Sequence, residues 1–337
     1  MLTDTKRIGF CCKWLDERGT TDDKTMNTRA TTVAWLKRQT KAEAEQRLWD
    51  IMQHNATATL NLVKRVGEMD GHLRMVRLGS DLLPVYTEPN FGYFHNDPAV
   101  KSFCERAFAE IGDVARRNDV RLSFHPGQFT VMASDNPNIV ERSIEEFEYH
   151  TNMARWMGYG REFQDFKINV HIAGRLGHEG IRAAYQRLST EARNCITIEN
   201  EENAHGLDDC LMLRDILPIV LDVHHHWVRE GEYISPSDHR VQMVEDSWRG
   251  VRPVLHYSVS REDYLPAHGR DVMPEMGILL ESGHKKQKLR AHSDLMWNTA
   301  VNKYVAGFWS RFDIQVESKA KNIASHALYR EIITNQY

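Results

Sequence analysis

The chain has 337 residues, 41% hydrophobic and 27% charged, an ordinary balance for a globular fold, with no apolar run near the roughly 18 residues that a membrane span requires. With 43 Lys and Arg against 47 Asp and Glu, the net charge of −4 excludes nucleic-acid capture by bulk positive charge and leaves only a local basic groove. Five cysteines, two of them adjacent at Cys11 and Cys12, match neither a disulfide framework nor a C-x-x-C zinc knuckle, and the start from Met1 to Arg7 does not read as a signal peptide. The expectation is a cytoplasmic monomer with reduced thiols.

Taken in order, strand-like and helix-like segments alternate. Residues 6–10 read as a first strand, 15–41 as polar loop with a short helix, and 42–65 as a long helix. A strand at 73–78 closes at Gly79-Ser80-Asp81, and 84–97, rich in Pro, Gly, Asn and aromatics, reads as a long functional loop. Helix 98–117 precedes strand 121–125, and helix 138–157 precedes strand 167–172. Helix 180–190 is followed by strand 195–199, helix 207–213 and an apolar strand from Leu217 that ends in Asp222-Val-His-His-His226. Helix 237–248, strand 253–258, a polar insertion at about 261–292, helix 293–310, strand 312–317 and helix 320–334 complete the chain. Eight strands, each followed by a helix, predict one (β/α)8 TIM-type barrel over residues 1–337.

In such a barrel the functional residues stand at the C-terminal strand ends. Here those ends carry His125, His171, Glu199, Asp222, His256 and Glu317, and the chain holds 17 histidines in all. Three carboxylates converging in one cleft repel one another and need cations to coexist ionised, and imidazole with carboxylate suits Mn, Zn, Fe or Ni. The set is too large for one ion, and Glu199, central in strand order, is the natural bridge between two. Two or three metals a few ångströms apart form the arrangement that hydrolyses phosphodiesters.

Nine stretches in order then carry a resemblance: Arg7-Ile-Gly-Phe10, Arg77-Leu-Gly-Ser-Asp-Leu82, His125-Pro-Gly-Gln-Phe129, Val170-His-Ile-Ala-Gly174, Ile198-Glu-Asn-Glu201, Leu221-Asp-Val-His-His-His226, Leu255-His-Tyr-Ser258, Arg290-Ala-His-Ser-Asp294 and Val316-Glu-Ser-Lys-Ala-Lys321. The sequence resembles the UV damage endonuclease family, relatives of endonuclease IV in the xylose-isomerase-like barrel superfamily. The resemblance implies cleavage of double-stranded DNA on the 5′ side of UV photoproducts, leaving a 3′-hydroxyl and a 5′-phosphate, with two or three divalent ions, Mn²⁺ foremost and Zn²⁺ or Mg²⁺ as alternatives. It implies that His125, His171 and Glu199 hold one ion, that Glu199, Asp222, His256 and Glu317 hold a second, and that His225 and His292 belong to a third. Glu199, His125, Asp222 and Glu317 would carry catalysis. Of the three consecutive histidines only His225 is expected to be a ligand, its neighbours being supporting or surface groups, and His268 competes with His292.

The chain departs from the family at several points. A lysine common two positions before the strand-seven histidine is replaced by Val254. The pair implied to insert into the duplex at the lesion, usually Gln-Tyr, is Gln128-Phe129. Phe10 and Trp14 stand where the family's lesion pocket begins, with Phe in place of a common Tyr. Lys285, Lys286 and Lys288 in the insertion are either phosphate contacts or a solvated loop. The rival readings are an abasic-site endonuclease of endonuclease IV type, a sugar isomerase on the same barrel, and a non-catalytic binder of damaged DNA.

Overall fold

The fold is described by a computed structural model for residues 5–335; the first four residues of the start read above lie outside that range. Eight strands, β1 (Ile8–Cys11), β2 (Met75–Arg77), β3 (Arg121–Phe124), β4 (Lys167–His171), β5 (Ile196–Glu199), β6 (Ile219–Val220), β7 (Val254–Tyr257) and β8 (Asp313–Val316), form one sheet. Its order is β6-β5-β4-β3-β2-β1-β8-β7, and the ladders are parallel throughout. The seam between β6 and β7 is drawn together by a single parallel bridge, Asp222 to His256, in which the His256 N–H donates to Leu221 O at 3.0 Å. This is the expected (β/α)8 barrel, and its seam lies between two of the expected metal ligands.

The elements follow from local chemistry. The helix Lys41–Gly67 begins in a capping box, with Thr40 and Glu43 satisfying each other's backbone N–H groups. The helices Pro98–Arg117 and Pro137–Trp156 both start with proline behind an Asp or Asn cap, where the missing N–H costs nothing. β6 is shorter than the apolar run suggests because Pro218 has no N–H to donate, while its carbonyl still accepts from Ile198 N at 3.1 Å. The expected helix 180–190 ends at Tyr185, and Ser189 caps a separate one, Thr190–Cys195. The expected helix 293–310 contracts to Thr299–Ala306, capped by Asn298.

Period-two alternation sends one set of strand residues to the helices and the other into the barrel. Ile8, Phe10, Val76, Leu122, Phe124, Ile168 and Ile198 belong to the apolar layer. The barrel interior is unusually polar. At its N-terminal floor the fully buried Asp313 accepts from Arg7 N at 2.8 Å, Arg121 Nη1 at 2.7 Å and Arg252 Nε at 2.8 Å. Gly9 lines this interior because a Cβ there would sit 2.6 Å from Met75 O.

His150, on Pro137–Trp156, is fully buried with Nδ1 donating to Glu146 O at 2.8 Å and no partner at Nε2. Burial pushes its pKa down to about 4. The unfolded chain takes up this proton near pH 6.5 and the folded one only near pH 4, so stability is lost as pH falls through that window, by up to about 1.4 kcal/mol per pH unit from this residue. Urea unfolding of His150→Gln at pH 7 and pH 5 should therefore show a shallower pH dependence than the parent chain; an unchanged dependence would assign the acid sensitivity elsewhere.

Candidate metal centre

The strand geometry brings the six predicted strand-end residues together. His171 and Glu199 are neighbours in the β4–β5 register, and Asp222 and His256 are joined by the seam bridge. Glu199 is fully buried, with Oε2 3.0 Å from His256 Nδ1, 3.4 Å from His125 Nε2 and 3.6 Å from His171 Nε2, and Oε1 3.5 Å from His225 Nδ1. Donor atoms within 4.8 Å of one another form three groups able to hold an ion: His125, His171 and Glu199; Glu199, Asp222 and His225; and Asp222, His256 and Glu317.

Asp222 does two jobs, and the reason is positional. It follows β6 by two residues and is also the N-cap of the helix Val223–Glu230, its Oδ1 accepting from His224 N at 2.8 Å and His225 N at 2.7 Å. Its Oδ2 has no hydrogen-bond partner and faces the cluster. The cap starts the helix in one orientation, which turns His225 toward the carboxylates. The other two histidines are not surface groups: His224 and His226 are both buried, His224 stacked on Trp227 with ring centroids 5.7 Å apart.

A carbonyl can only accept, so His125 Nδ1 donates to Pro126 O at 2.9 Å and turns its Nε2 to Glu199, whereas His225 Nδ1, the nitrogen nearer Glu199 and Asp222, donates to Asn200 O at 2.9 Å while its Nε2 faces Glu202. Burial pushes the Asp222 carboxyl up to about 7, countered by His225 and reinforced by Glu199. Burial would lower His225, but Asp222, Glu199 and Glu202 outweigh it and raise the imidazole to about 9. For Glu199 burial acts upward, yet His256 and His171 hold it well below the usual carboxylate range. Three carboxylates thus converge in a buried pocket, with Glu199 Oε1 and Asp222 Oδ2 lacking a hydrogen-bond donor. Cations satisfy that chemistry better than protons do, and the donor set contains no thiolate.

The family model described as UV-endonuclease UvdE matches residues 6–336. The chain belongs to the UvdE family. Among its relatives, the UV DNA damage endonuclease of Bacillus mycoides (strain KBAB4) is 24% identical over 314 residues, covering 90% of this chain and 88% of that one. A UV-damage endonuclease of Neurospora crassa is 29% identical over 244 residues, covering 64% of this chain and 36% of that one. The barrel is similar to the crystal structure of SacUVDE (TM-score 0.74, 20% identity, 98% and 99% of the two chains). It is similar also to endonuclease IV from Thermus thermophilus (TM-score 0.51, 13% identity, 82% and 93%).

Within this UvdE-family site the remaining expected residues fall as follows. His292 Nδ1 is 3.9 Å from Glu317 Oε2, whereas His268 bonds its neighbour Gly269 O and packs against Trp297, so His292 is the one at the site. Gln128 and Phe129 are exposed, Phe129 by 85%, on a turn closed by Thr130 N to Gly127 O at 2.9 Å. Phe10 departs from the expectation of a lesion pocket. Phe10 is only 1% exposed, pointing into the layer between strands and helices as its strand parity requires, and Trp14 is wedged between Phe10 and His326 with Arg65 over its ring. The Phe10 ring is not offered to a ligand, and the Trp14 ring is half-buried against its neighbours.

Further residues at the site lie outside the strand-end expectation, among them buried Asn169, whose Nδ2 donates to Glu199 Oε2. Val254 lies at the barrel floor beside Val220 and Trp248, but Lys167, entering from β4, places Nζ 2.8 Å from His256 Nε2. A lysine thus reaches the same histidine from a different strand, and burial lowers its pKa to about 7. Arg77, at the end of β2, pairs with Glu317. Glu202 Oε2 stands 3.6 Å from His225 Nε2.

Proposed function

We propose that this chain is a metal-dependent DNA repair endonuclease that nicks the phosphodiester 5′ of UV photoproducts, leaving a 3′-hydroxyl and a 5′-phosphate. The observation that carries the reading is the exposed Gln128-Phe129 turn, which follows His125 within the same loop, next to a buried cluster of imidazoles and carboxylates. A sugar isomerase has no use for an exposed ring beside its metal histidine, and a non-catalytic binder has no use for so many ligands.

Two or three divalent ions, Mn²⁺ foremost, would be held by His125, His171, Glu199, Asp222, His225, His256, His292 and Glu317. When bound, such ions supply Lewis acidity toward phosphate oxygens and lower the pKa of a water. The chain's own groups set the geometry. Pro126 O fixes the tautomer of His125, Asn200 O holds the ring of His225, Arg77 steers the Glu317 carboxylate, and Lys167 fixes the ring of His256.

A photoproduct weakens stacking, so a protein that opens the duplex meets a smaller cost there, and Phe129 is placed to fill the vacated stack while Gln128 faces the orphaned base. The test combines UV-irradiated supercoiled plasmid with Mn²⁺, beside unirradiated plasmid and a duplex with one abasic site. Nicking confined to irradiated DNA supports the reading; equal or faster cutting at the abasic site would replace it with the endonuclease IV activity. Gln128→Ala with Phe129→Ala should keep melting temperature and metal content but weaken lesion-duplex binding by about 1–3 kcal/mol for the lost stacking contact. A double variant that keeps its preference for irradiated DNA would remove the wedge from the reading.

A further inference from the structure

We propose that the lobe between β7 and Ser293 is a second DNA-contact surface, in which Lys285 and Lys288 beside Tyr264 hold backbone phosphates of the duplex flanking the cleavage site. The inference rests on the endonuclease reading above and extends it to a part of the chain that the metal cluster does not use.

The lobe is folded rather than a solvated loop. It contains the helices Met276–Glu281 and Lys286–Leu289, and its two ends are clasped by the antiparallel bridge Ser260 to His292 and by Arg261 N donating to Ala291 O at 3.1 Å. Trp227 Nε1 donates to Pro274 O at 3.2 Å and Trp297 Nε1 to Ser260 O at 2.8 Å, so buried rings pin it from both sides. Because it follows the C-terminal end of β7 and closes at His292, it stands on the barrel face that carries the metal cluster.

Its six cations divide into three kinds. Lys286 Nζ donates to Arg229 O at 2.9 Å, and Arg290 lies 3.5 Å from Glu202, so these two dock the lobe onto the helix of His225 and the loop beyond Glu199. Arg261 is neutralised by Asp263 through contacts of 2.7 and 2.8 Å, and Arg270 by Glu262 at 2.8 Å. Lys285 and Lys288 are exposed and line a recess of about 300 Å³ with Tyr264, His284 and Asp263, whose carboxylate is held by Arg261. Lys288 Nζ is held over the Tyr264 ring, 5.6 Å from its centroid, and His284 Nδ1 donates to Leu279 O, leaving Nε2 toward the recess. Two ammonium groups beside a ring, on a rigid rim in a chain of net charge −4, are a local site for phosphodiester oxygens, which ammonium groups bind as point charges.

The experiment uses the full-length double variant Lys285→Gln, Lys288→Gln and measures affinity for lesion-bearing and undamaged duplex across a salt series. Removal of two phosphate contacts should make the slope of log affinity against log salt shallower by about 2, and weaken binding on the order of 10-fold or more at moderate salt. The loss should be equal for both duplexes, since phosphate contacts carry no lesion information. Melting temperature and the nicking rate at saturating DNA should be unchanged. A parent-like slope overturns the proposal, as does a slope change accompanied by a lower melting temperature. If the substitutions flatten the slope but the parent protein never nicks irradiated DNA, the endonuclease reading fails while the contact surface stands. If the parent nicks irradiated DNA and the variant keeps the parent slope, the endonuclease reading stands and the contact surface fails.

Discussion

Glu199→Gln is expected to lower Mn²⁺-dependent nicking of irradiated DNA on the order of a thousand-fold or more while the barrel stays folded. The substitution keeps size and shape but exchanges an anion with two equivalent oxygens for a neutral amide with one. Four imidazole nitrogens lie within 3.6 Å of this carboxylate, and Glu199 is common to two of the three groups able to hold an ion. Asp222 is also common to two groups, but among the imidazole nitrogens its carboxylate approaches only that of His225, at 3.9 Å. Metal titration of the variant should show fewer ions bound, a readout independent of catalysis, while far-UV circular dichroism should match the parent. Glu202→Gln is the contrasting arm: among the expected ligands its carboxylate contacts only His225, so nicking should fall by far less. Comparable nicking by Glu199→Gln at limiting Mn²⁺ would remove Glu199 from the bridging role.

The strand ends are legible because the barrel forces a simple rule on the sequence. A strand buried on both faces must be apolar, so an abrupt His, Glu or Asp at its end signals the face where side chains meet ligand. That rule locates His125, His171, Glu199, Asp222, His256 and Glu317, which the structure brings together. It says nothing of side chains that enter the interior lower down, and Lys167 therefore reads as an ordinary polar start to β4, although its stem runs up the barrel to His256. Arg77 is hidden for a related reason: a charged residue ending a three-residue strand has no special periodicity, and only the fold sets it against Glu317. Phe10 misleads because a family position carries no orientation, whereas strand parity, with Gly9 facing inward, turns its neighbour outward. Composition alone leaves the lobe after β7 undecided, since it cannot show that two of the lobe's cations dock it, two are paired with neighbouring carboxylates and two line the recess.

The barrel floor is the least visible feature and carries the largest expected effect on stability. Arg7, Arg121 and Asp313 each begin or precede a strand, where charge normally marks the surface, yet Asp313 is fully buried and Arg7 and Arg121 are at most 5% exposed. The carboxylate accepts from the backbone of Arg7 and from the guanidinium groups of Arg121 and Arg252, while Arg121 also lies over the Trp248 ring, 5.7 Å from its centroid. Burial lowers the Arg121 pKa and Asp313 opposes that shift, while the guanidinium stays charged and so needs its partner. Replacing a buried pair with apolar residues is often neutral, but removing one member alone leaves uncompensated charge in a dry site. Asp313→Ala should accordingly lose about 3–5 kcal/mol of unfolding free energy, measured by urea denaturation of the metal-free protein. Asp313→Asn keeps an acceptor oxygen and should fall between the parent and the alanine variant. A loss below about 1 kcal/mol in the alanine variant would mean that water reaches the floor and screens the guanidinium groups, so that the network contributes no more than a surface salt bridge does.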